Sequence, residues 1–394
     1  MPTLALPLNG FDRALLAQTY SGRPMTTHHV LETERPFARA ALEETTRWLT
    51  AEFPTLCSVI HETTLGFRRS VVASSELPTR ALSCGDTPTD FDDLGCLDRP
   101  FDLAHEAPFR LHFGSCTEGG YRLVFTLHHS VTDGAGALML FDALLRRLAA
   151  LEGAPAEPAA PISAVGGRLR SLLRRCGFRA QLSLLWNNLT GLRRFSFRRA
   201  SLLEDRFAPV TRSRCLVLDV PHSDWHALGV RARETGCSRS ELVLASLLRA
   251  SQALRRRRDA PDEPFRVIVP SDLRPEFGLG RTLQNHLGVL EVDVSPEEVQ
   301  APDLPGRLAA RLTEERSVSR RLITPWALAV LGHSPPKLAR ALFRWLDRRP
   351  STFMHSLLFS HISARDGLYL PAGAGRVFCA SALPEQPGVG VTIT

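Results

Sequence analysis

The stretch FTLHHSVTDGAGALMLFDALL, residues 125–145, changes period half-way along. Its first four residues close an alternating run, YRLVFTLH (121–128), which reads as a strand. From Ala135 apolar residues recur at helical spacing as far as Leu151. His129, Asp133 and Gly134 occupy the junction. An aspartate just before a helix accepts from free backbone N–H groups and meets the positive end of the dipole, so Asp133 reads as an N-cap. Neighbouring strand residues point to opposite faces, so only one of His128 and His129 can face a cleft. An imidazole titrates near neutrality, which suits it to general-base work. The residues alone leave open packing and capping, general-base chemistry, or a metal site. The last is disfavoured because adjacent strand side chains diverge.

Working outward, PFRLHFGS (108–115) also alternates, and Glu118-Gly119-Gly120 separates it from the next strand, which predicts a β-hairpin. Upstream, HHVLET (28–33) reads as a strand, Ala38–Glu52 as a helix after Pro36, and EFPTLCSVI (52–60) turns strand-like. Residues 77–107 are rich in Pro, Asp and Gly and read mostly as loop. EGAPAEPAAPISAVGG (152–167) is a linker, which places a boundary between residues 1–160 and 161–394. Beyond it, CLVLDV (215–220) reads as a strand, and residues 238–258 as a helix with Ser238 as N-cap and Glu241 closing a capping box. FRVIVP (265–270), GVLEVDV (288–294), VFCASAL (377–383) and VGVTIT (389–394) complete the strands. Strands and helices alternate in both halves, so the class is α/β or α+β with layered sheets.

A chain of 394 residues is long for one core, so two domains are expected. The net charge of +7 comes almost wholly from arginine, Lys337 being the only lysine. That bias is discounted as a sign of nucleic-acid binding, for which no motif is visible. The eight cysteines include no C-x-x-C pair and read as reduced thiols, without zinc. No signal peptide or membrane-spanning run is visible, which predicts a cytoplasmic protein. Residues 168–200 hold nine arginines interleaved with apolar residues, including Trp186. They read as amphipathic helices with a solvated arginine face, or as a peripheral contact with an anionic membrane, carrier protein or CoA phosphates.

HHSVTDG (128–134) resembles the H-H-x-x-x-D-G motif of the chloramphenicol acetyltransferase-like superfamily. That group includes peptide-synthetase condensation domains, wax ester synthases and polyketide-associated acyltransferases. RPFDLAHEAPFRLHF (99–113), TGCSRSELVLASLLRASQALRR (235–256), VIVPSDLRPE (267–276) and QNHLG (284–288) resemble further segments in the same order. The resemblance implies two similar lobes forming a pseudo-dimer around a tunnel. It implies His129 as the catalytic base, His128 as packing, and Asp133 paired with Arg274 from the other half. Gly134 would permit close approach of the chain, and Asn285 would sit near the tunnel.

The implied reaction is acyl transfer from a thioester, acyl-CoA or an acyl carrier protein, to a hydroxyl or amine of a small-molecule or lipid acceptor. An O-acyltransferase is favoured over an amide-forming condensation domain or a non-catalytic recruitment member. The resemblance implies no permanently bound cofactor or metal, the acyl-CoA or phosphopantetheine-linked group being a co-substrate. HISARDG (361–367) resembles the motif only superficially, since its Asp stands five residues from the His, and it is not read as a second site. Two departures stand out. Ser360-His361-Ile362-Ser363 replaces the Ser-Asn that relatives commonly carry in the late strand, and the chain ends directly after a strand-like stretch, where relatives usually continue, so an open sheet edge or a trimmed second lobe is expected.

Overall fold

A computed structural model describes residues 5–20, 25–72, 81–85, 99–116, 119–163, 181–184, 186, 215–260, 262–347, 356–361, 368–381 and 390–393. The first half supplies β1 (Ala5–Leu6), α1 (Gly10–Thr19), β2 (Thr26–Thr33), α2 (Arg39–Glu52), β3 (Ser58–Thr63), β4 (Gly66–Val71) and β5 (Leu82–Gly85). These are followed by β6 (Phe109–Ser115), β7 (Tyr121–His128) and α3 (Gly134–Leu151). The second half begins with α4 (His222–Glu234), α5 (Arg239–Arg257), β8 (Phe265–Asp272), α6 (Arg274–Phe277) and β9 (Leu287–Val294). It continues through α7 (Pro296–Gln300), α8 (Leu304–Glu315), α9 (Val318–Arg321), α10 (Ile323–Gly332), α11 (Pro336–Asp347), β10 (Leu357–His361), β11 (Ala374–Ser381) and β12 (Gly390–Ile393).

β6 and β7 form the expected hairpin, antiparallel from Phe109 opposite Leu127 to Ser115 opposite Tyr121. Its turn needs the two glycines, since Gly119 and Gly120 have φ of 94° and 75°. The hairpin lies in a five-stranded sheet of order β11-β2-β7-β6-β5. Leu123, Phe125 and Leu127 point from β7 to one face, where α2 and α3 cover them with Leu42, Leu49, Phe141 and Leu144. This is the larger core. The second core lies between the sheet β12-β10-β8-β9 and helices α5 and α8, with Leu244, Leu248, Val267, Val292, Leu308 and Phe359 buried together. α5 starts as expected: Ser238 accepts from the Glu241 N–H, and Glu241 returns a bond to the Ser238 N–H.

The two halves are interleaved rather than merely adjacent. β11, from near the C-terminal end, is the edge strand of the first half's sheet and pairs antiparallel with β2. The linker that separates the halves reaches back through Ser163, which bridges to Thr282. α1 packs on α10, and glycines make that crossing possible. A Cβ on Gly332 would fall inside the Gly10 carbonyl oxygen, and one on Gly10 would overlap the Ala329 carbonyl and the His333 ring.

The expected strand over 215–220 is a correction: these residues carry no strand pairing. Cys215 and Val217 pack on Val30, Val124 and Phe378 of the sheet's other face, while Leu216 and Leu218 are 80% and 76% exposed. The alternation is real, but the segment lies across a sheet face instead of along an edge, so no ladder forms. The expected loop over 77–107 also holds a short strand, β5, which pairs parallel with β6. Most of the arginine-rich segment, 168–200, lies outside the described residues. Within it 181–184 are helical, and Leu184 packs on Leu273, Phe277 and Leu322. No described helix is long and apolar enough to cross a membrane.

Gly332→Ala tests the crossing with an unambiguous sign. Helix propensity alone would stabilise α10 by about 1 kcal/mol. The clash with Gly10 should instead destabilise the protein by about 1–3 kcal/mol in urea unfolding. A raised midpoint would show that α1 does not sit there.

Candidate active site

The junction read from the sequence is a tight structural unit. β7 ends at His128, the His129 N–H still donates to the Met25 carbonyl (2.8 Å), and the Val131 N–H turns back to the His128 carbonyl (2.9 Å). α3 then begins with Asp133 as N-cap, its Oδ1 accepting from the Gly136 N–H at 3.0 Å. Gly134 is the first helical residue. The steric demand for glycine is clearest two residues on, because a Cβ on Gly136 would overlap Thr132 Oγ1.

Asp133 does more than cap. Arg274, which opens α6 in the other half, lies against it as a two-pronged pair: Nη1 is 3.0 Å from Oδ2 and Nη2 is 2.9 Å from Oδ1. The His286 N–H donates to the same Oδ2 at 2.8 Å. Both side chains are buried, each residue at 3% exposure. Arg274 Nε donates to the Thr282 carbonyl, Nη1 also to Asp272, and Nη2 also to the Gln284 carbonyl. All five guanidinium N–H groups therefore have acceptors, which is what makes so buried a charge tolerable. Burial works against the charge on Arg274, but Asp133 and Asp272 outweigh it and hold its pKa above the ordinary arginine value.

His129 stands apart from this pair. Its Nδ1 lies 3.3 Å from the Thr132 carbonyl, an acceptor only, so the proton belongs on Nδ1. Nε2 is left with a free lone pair and no hydrogen-bond partner among the described residues. Burial lowers the His129 pKa, opposed by the Thr132 carbonyl and the charge of Asp133. The lowered pKa favours the neutral ring.

Asn285 holds the loop from the far side. Its Nδ2 donates to the His129 carbonyl and to Asp12 Oδ1, each at 2.7 Å. Asp12 belongs to α1, where Asn9 and Asp12 form a capping box. Burial pushes Asp12 up to about 6 despite the nearby Arg69. Arg69, itself buried on β4, donates to the Ser130 carbonyl. A small cleft at the seam, lined by Asn9, Phe11, Leu273, Asn285, His286 and Leu322, draws residues from both halves.

His128 faces the opposite way and is fully buried. Thr19 Oγ1, whose hydroxyl donates to the Leu15 carbonyl, receives the His128 Nε2–H at 2.8 Å. His128 Nδ1 accepts from the Ser130 N–H at 3.0 Å. Both ring nitrogens are used within the fold, and Phe101 packs edge-on against the ring.

Sequence reading did not single out Asp12, Arg69, His286, or the second pair His28-His29. The pattern Asn-x-x-Asp at 9–12 could have marked the start of α1. Nothing local marks Arg69. His28 sits on the His128 side of the sheet, bonded to Thr26 and Thr126, and His29 on the other, 3.0 Å from Cys379 Sγ. Burial pushes the Cys379 thiol up to about 12, so it stays protonated. His361, from the second motif-like stretch, is bonded to Ser240, and the rest of that stretch lies outside the described residues.

No protein-family model matches this sequence, and no curated protein matches it significantly. Solved structures do match in shape. The first condensation domain of the calcium-dependent antibiotic synthetase, in complex with a substrate analogue, superposes with TM-score 0.66 at 17% identity, covering 99% of this chain and 88% of that one. The chain has the condensation-domain fold. Polyketide synthase associated protein 5 from Mycobacterium tuberculosis matches with TM-score 0.57 at 18% identity, over 96% of this chain and 86% of that one. The starter condensation domain of rhizomide synthetase, in complex with C8-CoA, matches with TM-score 0.60 at 16% identity, over 99% and 86%. At 16–18% identity these are likenesses of fold.

Two stability measurements follow. Asp133→Ala removes a cap, worth about 1 kcal/mol, and one of the two carboxylates neutralising a buried arginine, for a total loss of roughly 2–4 kcal/mol. Adding Arg274→Met should cost much less than the two single losses summed, and strict additivity would deny the coupling.

The second measurement is acid sensitivity. Burial depresses His28, His29 and His128 to about 3, and His112 and His286 to about 4, from an ordinary 6.5. These groups bind protons more readily unfolded than folded, so their contribution is full above 6.5 and is lost as pH falls. Asp12, raised from 3.8, acts in the opposite sense between 3.8 and about 6, but it is one group against five. The urea midpoint should fall steeply from pH 7 to pH 5, and a flat profile would contradict the burial of these rings.

Proposed function

We propose that this chain is an acyltransferase using His129 Nε2 as general base. The observation that carries the proposal is the His129 ring: Nδ1 faces the Thr132 carbonyl, Nε2 has no hydrogen-bond partner among the described residues, and burial lowers its pKa. A thioester donor, acyl-CoA or a phosphopantetheine-linked acyl group on a carrier protein, meets a hydroxyl or amine acceptor there. Nε2 takes the acceptor's proton as its oxygen or nitrogen attacks the thioester carbonyl. The new C–O or C–N bond forms, the C–S bond breaks, and the imidazolium returns the proton to the departing thiolate. No acyl-enzyme is required.

The C8-CoA bound by a condensation domain of the same fold supports a CoA thioester as donor. An oxygen acceptor, and so an O-acyltransferase, is the specific form proposed. Asp133 acts through position: it anchors α3 and Arg274 and leaves the base to the imidazole.

A panel of acyl-CoA thioesters against alcohols and amines, followed by release of free CoA thiol, tests this. His129→Ala should lose at least about a hundredfold in kcat with the fold intact. Wild-type turnover in that variant overturns the assignment. In the native protein, log kcat/KM should fall with unit slope toward acid, with an apparent pKa below the ordinary imidazole value of 6.5, because burial favours the neutral ring. An acid limb centred above that value would contradict the environment described for His129.

A further inference from the structure

α11 packs on the body of the protein through only part of its apolar surface. Ala339 and Phe343, four residues apart, are buried with Leu16, Phe67 and Phe101. Arg340 ties the helix down through Glu62 on β3. Leu338, Leu342 and Trp345, spaced four and three apart, fall on an adjoining stripe and are 60%, 37% and 42% exposed. Scattered exposed leucines are ordinary, but three large apolar residues in register along one helix are not.

The charges beside this stripe share one sign. Lys337, the chain's single lysine, and Arg344 are exposed on the same helix. Asp347 is the only acidic residue of the helix. A second copy of so basic a helix would be repelled. An anionic bilayer surface offers both complements: apolar depth for Leu338, Leu342 and Trp345, and phosphate charge for the flanking cations. Tryptophan, with a broad apolar ring and one polar N–H, suits that boundary.

We propose that α11 is a peripheral membrane-docking helix, inserting Leu338, Leu342 and Trp345 into an anionic lipid surface. The proposal is independent of the acyl-transfer reading.

Vesicle flotation of the full chain tests it. The protein should float with phosphatidylcholine–phosphatidylglycerol vesicles at low salt, and much less with phosphatidylcholine alone or at high salt. Leu342→Glu and Trp345→Glu should each weaken binding by at least about tenfold, since each places a carboxylate in the apolar boundary. Trp345→Phe should retain binding, and circular dichroism should show each variant folded. Brominated lipids should quench native tryptophan fluorescence, and that quenching should drop in Trp345→Phe. Failure of the native chain to float with anionic vesicles overturns the proposal. So does undiminished flotation of the folded Glu variants, or binding of an acidic carrier protein to this stripe with none to vesicles.

Discussion

The site depends on one buried ion pair. Asp133 and Arg274 come from segments 141 residues apart, and neither could stay charged in the interior alone. Each is satisfied because the other half delivers its partner: Asp133 accepts from Gly136, His286 and Arg274, and Arg274 spends every N–H on carboxylates and carbonyls. The pair therefore fixes two things at once, the start of α3 and the approach of the second lobe. It is assisted by Asn285, which spans from α1 to the carbonyl of His129 itself.

This arrangement separates two roles that adjacent motif residues suggest should be joined. A histidine followed by an aspartate invites a relay in which the carboxylate holds the ring. Here the ring is oriented by a main-chain carbonyl, at Thr132, and the carboxylate turns toward arginine. The charge of Asp133 still bears on the imidazole, opposing the effect of burial. Its neighbour His128 uses both nitrogens within the fold, so of the two only His129 keeps a ring nitrogen without a hydrogen-bond partner among the described residues.

Much of the local structure was legible in the sequence because local physics decides it. The hairpin at 109–128, the Asp133 cap and the Ser238–Glu241 capping box each rest on residues within a few positions of one another. The Asp133–Arg274 pairing was reached through family resemblance, not through spacing, since nothing in either segment encodes the other. Cys215–Val220 shows the limit of periodicity: the alternation reports two faces truthfully but cannot say whether a ladder partner exists. Arg69 and the exchange of β11 into the first sheet were illegible for the same reason, being settled by long-range packing.

Nitrogen NMR of histidine-labelled protein reads directly which ring nitrogen of His129 carries the proton. At pH 7 Nδ1 should be protonated and Nε2 unprotonated, the signals being assigned by comparison with His129→Gln. A protonated Nε2, or an imidazolium at that pH, would contradict this placement of the proton.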